Sequence, residues 1–337
     1  MSMNALITGW GFYVPPKVVT NADLEAMIDT TDAWIYERTG IRERHVVEGD
    51  EVTSSMATKA AREAIARAGV RAADLDAIIV ATTSPDYHLP TAACLVQERL
   101  GARSAAVFDL GAACAGFIYG LAVARGLIAS GAARTILLVG AETISRFLDW
   151  TDRATCVLFG DGAGAVVIQA SRGGAGVQST ALHGDGRQMR HLRLDGGGSL
   201  HPPTRDGGDG RSNYIRMDGP AVFKLAVPAM AEASREALAQ AGLGLDDVDL
   251  FVPHQANARI IEAVAKRLRL DRAKVFVDID RFGNTSAASI PIALCDAVAQ
   301  GRVRRGDTLV FAAFGGGMTW GAAVVEWTAS AAGSPTR

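Results

Sequence analysis

The sequence has little cysteine, with only Cys94, Cys114, Cys156 and Cys295 in 337 residues. These cysteines are widely spaced and form no Cys-x-x-Cys pair, which argues against a zinc site and against a disulfide framework. We therefore expect no bound metal and a reducing, cytoplasmic location.

Long apolar runs are also absent. No uninterrupted apolar stretch reaches about 18 residues, so no transmembrane helix is predicted. Residues 1–13 lack the basic start and apolar core of a signal peptide. The formal net charge is only -2, which provides no general attraction to nucleic acids or membrane surfaces. We expect neither as a partner.

The main positive feature of the sequence is a repeated pattern of predicted helices and strands. Residues 64–80 and 237–252 each contain a helix end, a glycine stop, an Asp-x-Asp sequence and an apolar strand. A second pair, residues 128–139 and 298–311, repeats a helix end followed by an apolar strand. The repeat predicts two related α/β halves, each with a largely parallel central sheet.

Three glycine-rich segments separate these elements. The loop at residues 171–176 marks the join, so the halves span residues 1–173 and 174–337. Residues 195–211 lack a Gly-Lys-Ser/Thr continuation and are predicted to form a surface loop rather than a nucleotide site. Residues 159–164 precede an apolar strand instead of a helix, which favours a hairpin turn over a dinucleotide-binding loop.

Cys114 lies where the chain passes from a strand into a helix. The apolar run at residues 105–110 predicts a short buried strand, and residues 117–129 have helical apolar spacing. Free N–H groups and the dipole at a helix N-terminus stabilise a thiolate, so the Cys114 side chain should ionise more easily than free cysteine. The alternative is an inert cysteine packed at the strand end.

Two polar residues of the second half are candidates to act with this thiol. His254 directly follows a strand, where α/β proteins place chemistry, although it could serve as a polar cap. Asn284 is as far from Gly301 as Cys114 is from Gly131. It either caps the next helix or contributes an amide to a pocket between two helix N-termini.

Four motifs occur in an order and spacing typical of one family: Ala113-Cys114-Ala-Gly-Phe117, His254-Gln-Ala-Asn257, Gly283-Asn284-Thr-Ser and Phe314-Gly-Gly-Gly317. The sequence thereby resembles the thiolase-fold condensing enzymes, and most closely the β-ketoacyl-acyl-carrier-protein synthases III, over residues 7–327. The resemblance implies an α/β, thiolase-like fold whose two pseudo-duplicated halves form a layered αβαβα core.

The same resemblance implies a decarboxylative Claisen condensation of an acyl-CoA primer with malonyl-acyl carrier protein, which initiates fatty acid biosynthesis without a cofactor. Cys114 would carry the acyl group. The backbone N–H groups of Cys114 and Gly316 would form the oxyanion hole. His254 and Asn284 would donate hydrogen bonds to the enolate oxygen.

Further residues match the family's substrate contacts. Trp34 and Arg153 resemble the pair that holds the adenine of CoA, Arg38 a phosphate contact and Asn257 a contact along the pantetheine arm. Without the resemblance, Trp34 could be packing a helix and Arg38 could be a solvated charge. Phe314 is assigned to the acyl pocket.

A basic surface is expected to dock the acidic carrier protein. Its members match positions of the family's carrier surface: Lys224, Arg259, Lys266 and Arg267. An ordinary solvated helix is the alternative.

Leu89 stands where many members of the family carry phenylalanine. In the family this residue reaches the acyl pocket of the partner subunit, so the resemblance implies a homodimer. A smaller leucine would leave a deeper or reshaped acyl pocket.

Several other functions fit less well. A starter-unit condensing enzyme of polyketide or secondary metabolism is the closest alternative, although the Gly-Phe-Gly-Pro-Gly ending of type III polyketide synthases is absent. Hydroxymethylglutaryl-CoA synthases and head-to-head acyl-CoA condensing enzymes need a glutamate near Thr82-Thr83-Ser84, where the sequence has none. Cys114 argues against a non-catalytic chain-length partner or acyl-binding module, which usually lacks this cysteine. A cysteine hydrolase is disfavoured because nothing in the sequence suggests a base held beside the thiol to activate water.

Overall fold

The computed structural model describes residues 3–202 and 211–329, so part of the predicted surface loop lies outside the described residues. The strands in this part of the chain are β1 (Asn4–Tyr13), β2 (Val18–Thr20), β3 (Glu43–His45), β4 (Ala77–Ala81), β5 (Ala106–Leu110), β6 (Thr135–Glu142), β7 (Gly162–Ser171), β8 (Gly176–Gly184), β9 (Leu192–Leu194), β10 (Ile215–Met217), β11 (Leu250–Pro253), β12 (Thr308–Gly315) and β13 (Thr319–Glu326). The α-helices are α1 (Asn21–Glu25), α2 (Asp32–Thr39), α3 (Thr53–Ala68), α4 (Ala92–Leu100), α5 (Gly116–Ala129), α6 (Gly219–Gln240), α7 (Ala258–Leu268), α8 (Ile279–Phe282) and α9 (Ser289–Ala299).

Two sheets with the same strand order form the framework. The first runs β1-β7-β6-β4-β5 and the second, read in the matching direction, β8-β13-β12-β11. In each sheet the first three strands are antiparallel neighbours, and the strand that follows is parallel to the third; β5 adds a further parallel strand to the first sheet. The two halves predicted from the sequence repeat therefore share the order and the relative directions of four strands.

The sheets and helices stack in five layers. Helices α5 and α9 lie between the two sheets and share with them one buried apolar core. Helices α3 and α4 cover the outer face of the first sheet, and α6 and α7 cover the outer face of the second. This is the αβαβα arrangement expected from the sequence.

Helix α3 spans the residues on which the sequence shows helical periodicity, and it ends at Gly69 in a left-handed conformation with φ 66°. Four of its nine buried positions are alanines, and they belong to a helix face that lies close against β1 and β7, an approach that larger side chains would prevent.

The prediction of largely parallel sheets is wrong. Strands β7 and β13 run antiparallel to β6 and β12, because no α-helix separates either pair along the chain and parallel neighbours need a long crossover, usually an α-helix. The predicted tight hairpin at residues 159–164 is also wrong, since β7 pairs with β6 across the long connection between Glu142 and Gly162.

The predicted buried strand before Cys114 exists as β5, but its residues are half-buried or exposed because it forms the edge of the first sheet. Among the helices of residues 3–202 and 211–329, none is long and apolar enough to span a lipid bilayer.

Candidate active site

Cys114 occupies a strained turn between β5 and α5. Residues 113–115 form one turn of 3-10 helix, and Ala113 adopts a left-handed φ of 45°. A non-glycine residue in this region is sterically costly and persists where the surrounding fold enforces it. The turn places Cys114 two residues before α5, with the sulfur at the meeting point of two cavities.

A matching turn precedes α9. Residues 286–288 form a 3-10 turn, and Ser286 has a φ of 50°. Matching the two turns makes Ala287, not Asn284, the counterpart of Cys114. The spacing argument failed because α5 has 14 residues and α9 only 11. Asn284 nevertheless reaches the same cavity as Cys114 from the loop before the turn.

Burial controls the charge of the thiol. The Cys114 side chain is buried, which together with the nearby Glu142 carboxylate raises its pKa to about 12, although the Ser286 hydroxyl acts in the opposite direction. This contradicts the expectation of an easily ionised cysteine, because desolvation outweighs the favourable field at the helix N-terminus. The group is a thiol at neutral pH.

His254 is buried and neutral. It follows β11, and its backbone N–H donates to the carbonyl of Ala312 at 2.8 Å. Burial lowers the pKa of its imidazole to about 3. Its Nδ1 has no hydrogen-bond partner among the described residues. The ring lines the cavity that Cys114 and Asn284 share.

The amide of Asn284 is fixed by the following turn. Its Oδ1 accepts a hydrogen bond from the backbone N–H of Ser286 at 2.9 Å. Because the oxygen is engaged in this way, the NH₂ end is left to donate to a ligand in the cavity.

The glycines after Phe314 bring the chain close to Cys114. A Cβ at Gly315 would lie 2.5 Å from the backbone nitrogen of Cys114, so no side chain fits there. Gly316 lines the second cavity together with Cys114. The loop is thus packed against the candidate nucleophile, as well as connecting β12 to β13.

The first cavity has a volume of about 420 Å³ and runs from the sulfur to the surface. Its wall combines the candidate chemical groups with several of the predicted substrate contacts: Cys114, His254, Asn284, Phe314, Arg38, Asn257, Lys224 and Arg259. Phe314, which the sequence assigned to the acyl pocket, lies in this cavity and stacks on Trp320 with ring centroids 6.0 Å apart.

The second cavity is smaller, about 200 Å³, and mostly apolar. Cys114, Phe159 and Leu192 line both cavities. Four further apolar side chains of this wall were missed by the sequence analysis because they lie after β6 and in the short strands β9 and β10: Ile144, Phe147, Leu194 and Ile215.

Leu89 lines neither of these two cavities of the described chain. It is 87% exposed in the loop between β4 and α4. Its side chain could reach an acyl pocket only in a second copy of the chain, so its assignment remains a prediction.

The predicted CoA contacts cluster near the mouth of the first cavity. The guanidinium carbons of Arg38 and Arg153 lie 4.7 and 5.0 Å from the centroid of the Trp34 ring. Asn257 donates to the backbone carbonyl of Arg38 at 2.9 Å, which ties α2 to the start of α7. Cations and an aromatic ring therefore lie together at the entrance.

The predicted carrier-docking residues are all exposed. Lys224 and Arg259 line the mouth of the first cavity. Lys266 and Arg267 lie farther along α7, where Arg267 pairs with Glu232 at 3.3 Å. Within residues 3–202 and 211–329, no group of three or more histidine, cysteine or acidic side chains is arranged to hold a metal ion.

Glu142 is a further residue that sequence reasoning missed. It ends β6 and is fully buried, with its carboxylate against Thr83 and Ser84. The fold therefore brings a glutamate to the segment where the sequence has none. Two signals were available in the sequence. Glu142 is an acidic residue at the end of an otherwise apolar strand, and its partner Ser286 belongs to the motif that contains Asn284.

Comparison with known proteins adds independent information. The family model described as 3-oxoacyl-[acyl-carrier-protein (ACP)] synthase III matches residues 108–186. The model of the corresponding C-terminal region matches residues 238–327.

Curated relatives match over nearly the whole length. The chain is 53% identical to the beta-ketoacyl-[acyl-carrier-protein] synthase III of Roseiflexus castenholzii, covering 98% of this chain and 100% of the relative. It is 46% identical to the solved 3-oxoacyl-[acyl-carrier-protein] synthase III of Aquifex aeolicus, with a TM-score of 0.90 and coverage of 96% and 100%. A solved priming beta-ketosynthase of the R1128 polyketide pathway is 35% identical, with a TM-score of 0.90 and coverage of 97% of each chain.

Proposed function

Because the chain belongs to the β-ketoacyl-acyl-carrier-protein synthase III family, we propose that it condenses an acyl-CoA primer with malonyl-acyl carrier protein through an acyl group held on Cys114. The product is a 3-oxoacyl-acyl carrier protein, and the reaction initiates fatty acid biosynthesis. The observation that carries this proposal is the position of Cys114 in the walls of two cavities, the larger of which is also lined by His254 and Asn284 and the smaller of which is mostly apolar.

The first half-reaction is acyl transfer. The Cys114 sulfur attacks the thioester carbonyl, and the acyl chain enters the apolar cavity of about 200 Å³. The backbone N–H groups of Cys114 and Gly316 stabilise the oxyanion of the tetrahedral intermediate. Donors fixed in advance in this way are worth several kcal/mol in acyl transfer. The packing of Gly315 against Cys114 supports this role, because it fixes the two peptide segments relative to each other.

The second half-reaction is decarboxylation followed by carbon–carbon bond formation. Loss of carbon dioxide from the malonyl group leaves an enolate, whose oxygen accepts hydrogen bonds from His254 and Asn284. A buried imidazole with a pKa of about 3 acts as a neutral N–H donor. The amide of Asn284 donates because its oxygen is held by Ser286. The enolate carbon then attacks the acyl carbonyl on Cys114.

The charged mouth of the first cavity serves both substrates. Trp34 and Arg153 hold the adenine of CoA, Arg38 a phosphate and Asn257 the pantetheine arm. The acidic carrier protein docks on an adjoining basic surface, since opposite charge increases the rate of encounter. That surface comprises Lys224, Arg259, Lys266 and Arg267.

The functional unit is a cytoplasmic homodimer that needs no metal or cofactor beyond its substrates. Each chain comprises two thiolase-like halves, residues 1–173 and 174–337. The distribution of strands supports this division, because the first sheet draws on residues 4–171 and the second on residues 176–326. Leu89 of each chain contributes to the acyl pocket of the other.

The test is intact-mass analysis after exposure to a panel of acyl-CoAs of increasing length and branching. We expect one acyl group per chain in the wild type and none in Cys114→Ala. The matched control, Cys94→Ala at a half-buried cysteine away from the cavities, should acylate normally. Acylation of Cys114→Ala, or an acyl-enzyme that forms no 3-oxoacyl product with malonyl-acyl carrier protein, would overturn the proposal.

A further inference from the structure

A buried carboxylate lies behind the thiol, on the side of the apolar cavity. Glu142 accepts hydrogen bonds from the Thr83 backbone N–H at 3.1 Å and from the Ser286 hydroxyl at 3.0 Å. Further hydrogen bonds come from the hydroxyl groups of Thr82, Thr83 and Ser84. No cation pairs with Glu142 in the part of the chain that the structure describes.

The surrounding network identifies Glu142 as an acceptor. The Thr82 hydroxyl oxygen already accepts from the backbone N–H of Ser84 at 3.1 Å, and the Ser84 hydroxyl oxygen accepts from that of Thr143 at 2.8 Å. Both hydroxyl protons are therefore free to point to Glu142. A carboxyl group whose hydrogen-bond partners are all donors can accept every one of these bonds in its ionised form.

Ser286 is the link between this carboxylate and the reacting sulfur. Its hydroxyl donates to Glu142 at 3.0 Å. Ser286 and Cys114 line the same cavity wall, and the serine hydroxyl acts to lower the pKa of the thiol. The left-handed turn at Ser286 places the residue in the wall of the apolar cavity beside Cys114. A hydroxyl in this position can accept a proton from sulfur while it donates its own to the carboxylate.

His254 is a poor candidate for the same task. Its buried imidazole has a pKa of about 3, so it has little affinity for the thiol proton. Burial raises the pKa of Glu142, which makes its carboxylate a better proton acceptor than an exposed glutamate.

We propose that Glu142 takes the proton of Cys114 through Ser286 during acylation, holds it while the acyl-enzyme exists, and returns it to Cys114 when condensation releases the sulfur. This inference rests on the proposed function, because it requires an acyl-Cys114 intermediate. Ser286 lies beside Cys114 in the cavity wall and relays the proton, whereas Glu142 acts through Ser286.

The step balances in atoms and charge. On acylation the sulfur–carbon bond to Cys114 forms, the bond to CoA breaks, and the thiol proton passes to Ser286 as the serine proton passes to Glu142. CoA leaves as a thiolate and takes a proton from water. On condensation the Cys114–carbon bond breaks, and the released thiolate regains its proton from Glu142 by the reverse path.

This balance gives a measurement that needs no variant. A single turnover of acylation at neutral pH should remove one proton from weakly buffered solution for each acyl group formed. Infrared difference spectra of the acylated minus the free wild-type enzyme should show loss of a carboxylate band and gain of a protonated carboxyl band. Acylation without the infrared change would overturn the inference while leaving the proposed function intact, whereas absence of acylation would overturn both.

Variants identify the carboxyl group. Glu142→Gln keeps the size of the side chain but removes the acceptor, so its acylation rate should fall by about 100-fold or more. The acyl-enzyme that it does form should appear without proton uptake and without the infrared change. Ser286→Ala should behave in the same way, and the exposed Glu98→Gln should match the wild type. Undiminished proton uptake by Glu142→Gln would show that Cys114 is already ionised and would overturn the inference.

Discussion

Among the single residues of the site, His254 is kept neutral by burial. Because its pKa is about 3, the imidazole stays neutral from pH 5 to 9 and can donate but hardly transfer a proton. His254→Ala and Asn284→Ala should each slow decarboxylation by about 100- to 1,000-fold, the usual loss for one oxyanion donor. Acylation of Cys114 should be spared. Release of labelled carbon dioxide and intact mass measure the two steps.

The exposed His201→Ala provides the matched control and should leave both steps unchanged. If the wild-type rate of carbon dioxide release fell below pH 7 with a midpoint near 6.5, and the His254→Ala variant lacked this midpoint, the neutral-donor assignment would be wrong.

Asp278 is a buried carboxyl with an unpartnered Oδ2 among the described residues. Burial raises its pKa well above the ordinary value, with a smaller contribution from Asp296. The folded protein therefore binds this proton more tightly than the unfolded chain, so this residue makes stability fall as pH rises from about 4 through the folded pKa. Asp278→Asn should raise stability at neutral pH by about 1.4 kcal/mol for each unit by which the folded pKa exceeds the unfolded one, up to neutral pH, because the amide is neutral without taking up a proton.

Thermal unfolding across pH measures this gain. It should shrink at acid pH, where wild-type Asp278 is protonated in both states. The exposed Asp246→Asn serves as the control and should change little. A lower melting temperature for Asp278→Asn at neutral pH would contradict the argument.

The sequence predicted the residues of the site that belong to local motifs, and it missed those defined by contacts. Cys114, His254 and Asn284 stand at recognisable junctions of strands and helices. Glu142 approaches Thr83 from a neighbouring strand, and no spacing along the chain records that contact. The low acidity of the Cys114 thiol was missed for the same reason, because it depends on burial by distant segments.

At the scale of elements, α7 connects the cavity mouth to the basic surface. Asn257 caps the helix by accepting from the backbone N–H of Arg259, and the Arg259 side chain lines the mouth. Arg259→Glu should weaken the use of malonyl-acyl carrier protein more than self-acylation by acyl-CoA, since it reverses a charge that faces an acidic partner. The effect should shrink with added salt, which screens charges beyond about 10 Å at 0.1 M.

Separate kcat/KM values for the two half-reactions provide the measurement. Arg305→Glu makes the same charge change before β12, at the opposite end of that strand from the glycine loop, and should affect neither half-reaction selectively. Equal losses in both half-reactions of Arg259→Glu would indicate a damaged pocket instead.

A helix could be predicted where its apolar periodicity extends over many residues. The relative directions of the strands could not be predicted. The apolar spacing of α3 gave its observed bounds. The antiparallel course of β7 and β13 depends on how each connection folds back, which alternating helices and strands do not specify. The assignment of Asn284 as the counterpart of Cys114 failed because α5 and α9 differ in length.

At the scale of the whole molecule, the exposure of Leu89 suggests an incomplete surface. A leucine that is 87% exposed leaves apolar area that a second chain would cover, and full burial of such a side chain contributes about 1.5–3 kcal/mol. We expect a homodimer in sedimentation experiments. Leu89→Phe should shift primer preference toward acetyl-CoA, because a larger side chain shortens the pocket across the interface.

Comparison of kcat/KM across acyl-CoAs for the wild type and Leu89→Phe checks this expectation. Leu200→Phe changes another exposed leucine and should leave the ranking of primers unchanged. A monomer in solution, or an unchanged ranking in Leu89→Phe, would show that Leu89 does not bound the acyl pocket.

The matched turns before α5 and α9 also show how the two halves of the chain differ. Where the first half carries the Cys114 thiol, the second carries the methyl of Ala287, and a Cβ placed on Gly140 would lie 2.2 Å from the Ala287 carbonyl oxygen. The backbone of this turn therefore packs directly against β6. The two halves share a topology but are not equivalent, since at this turn the first half carries a thiol and the second a methyl group.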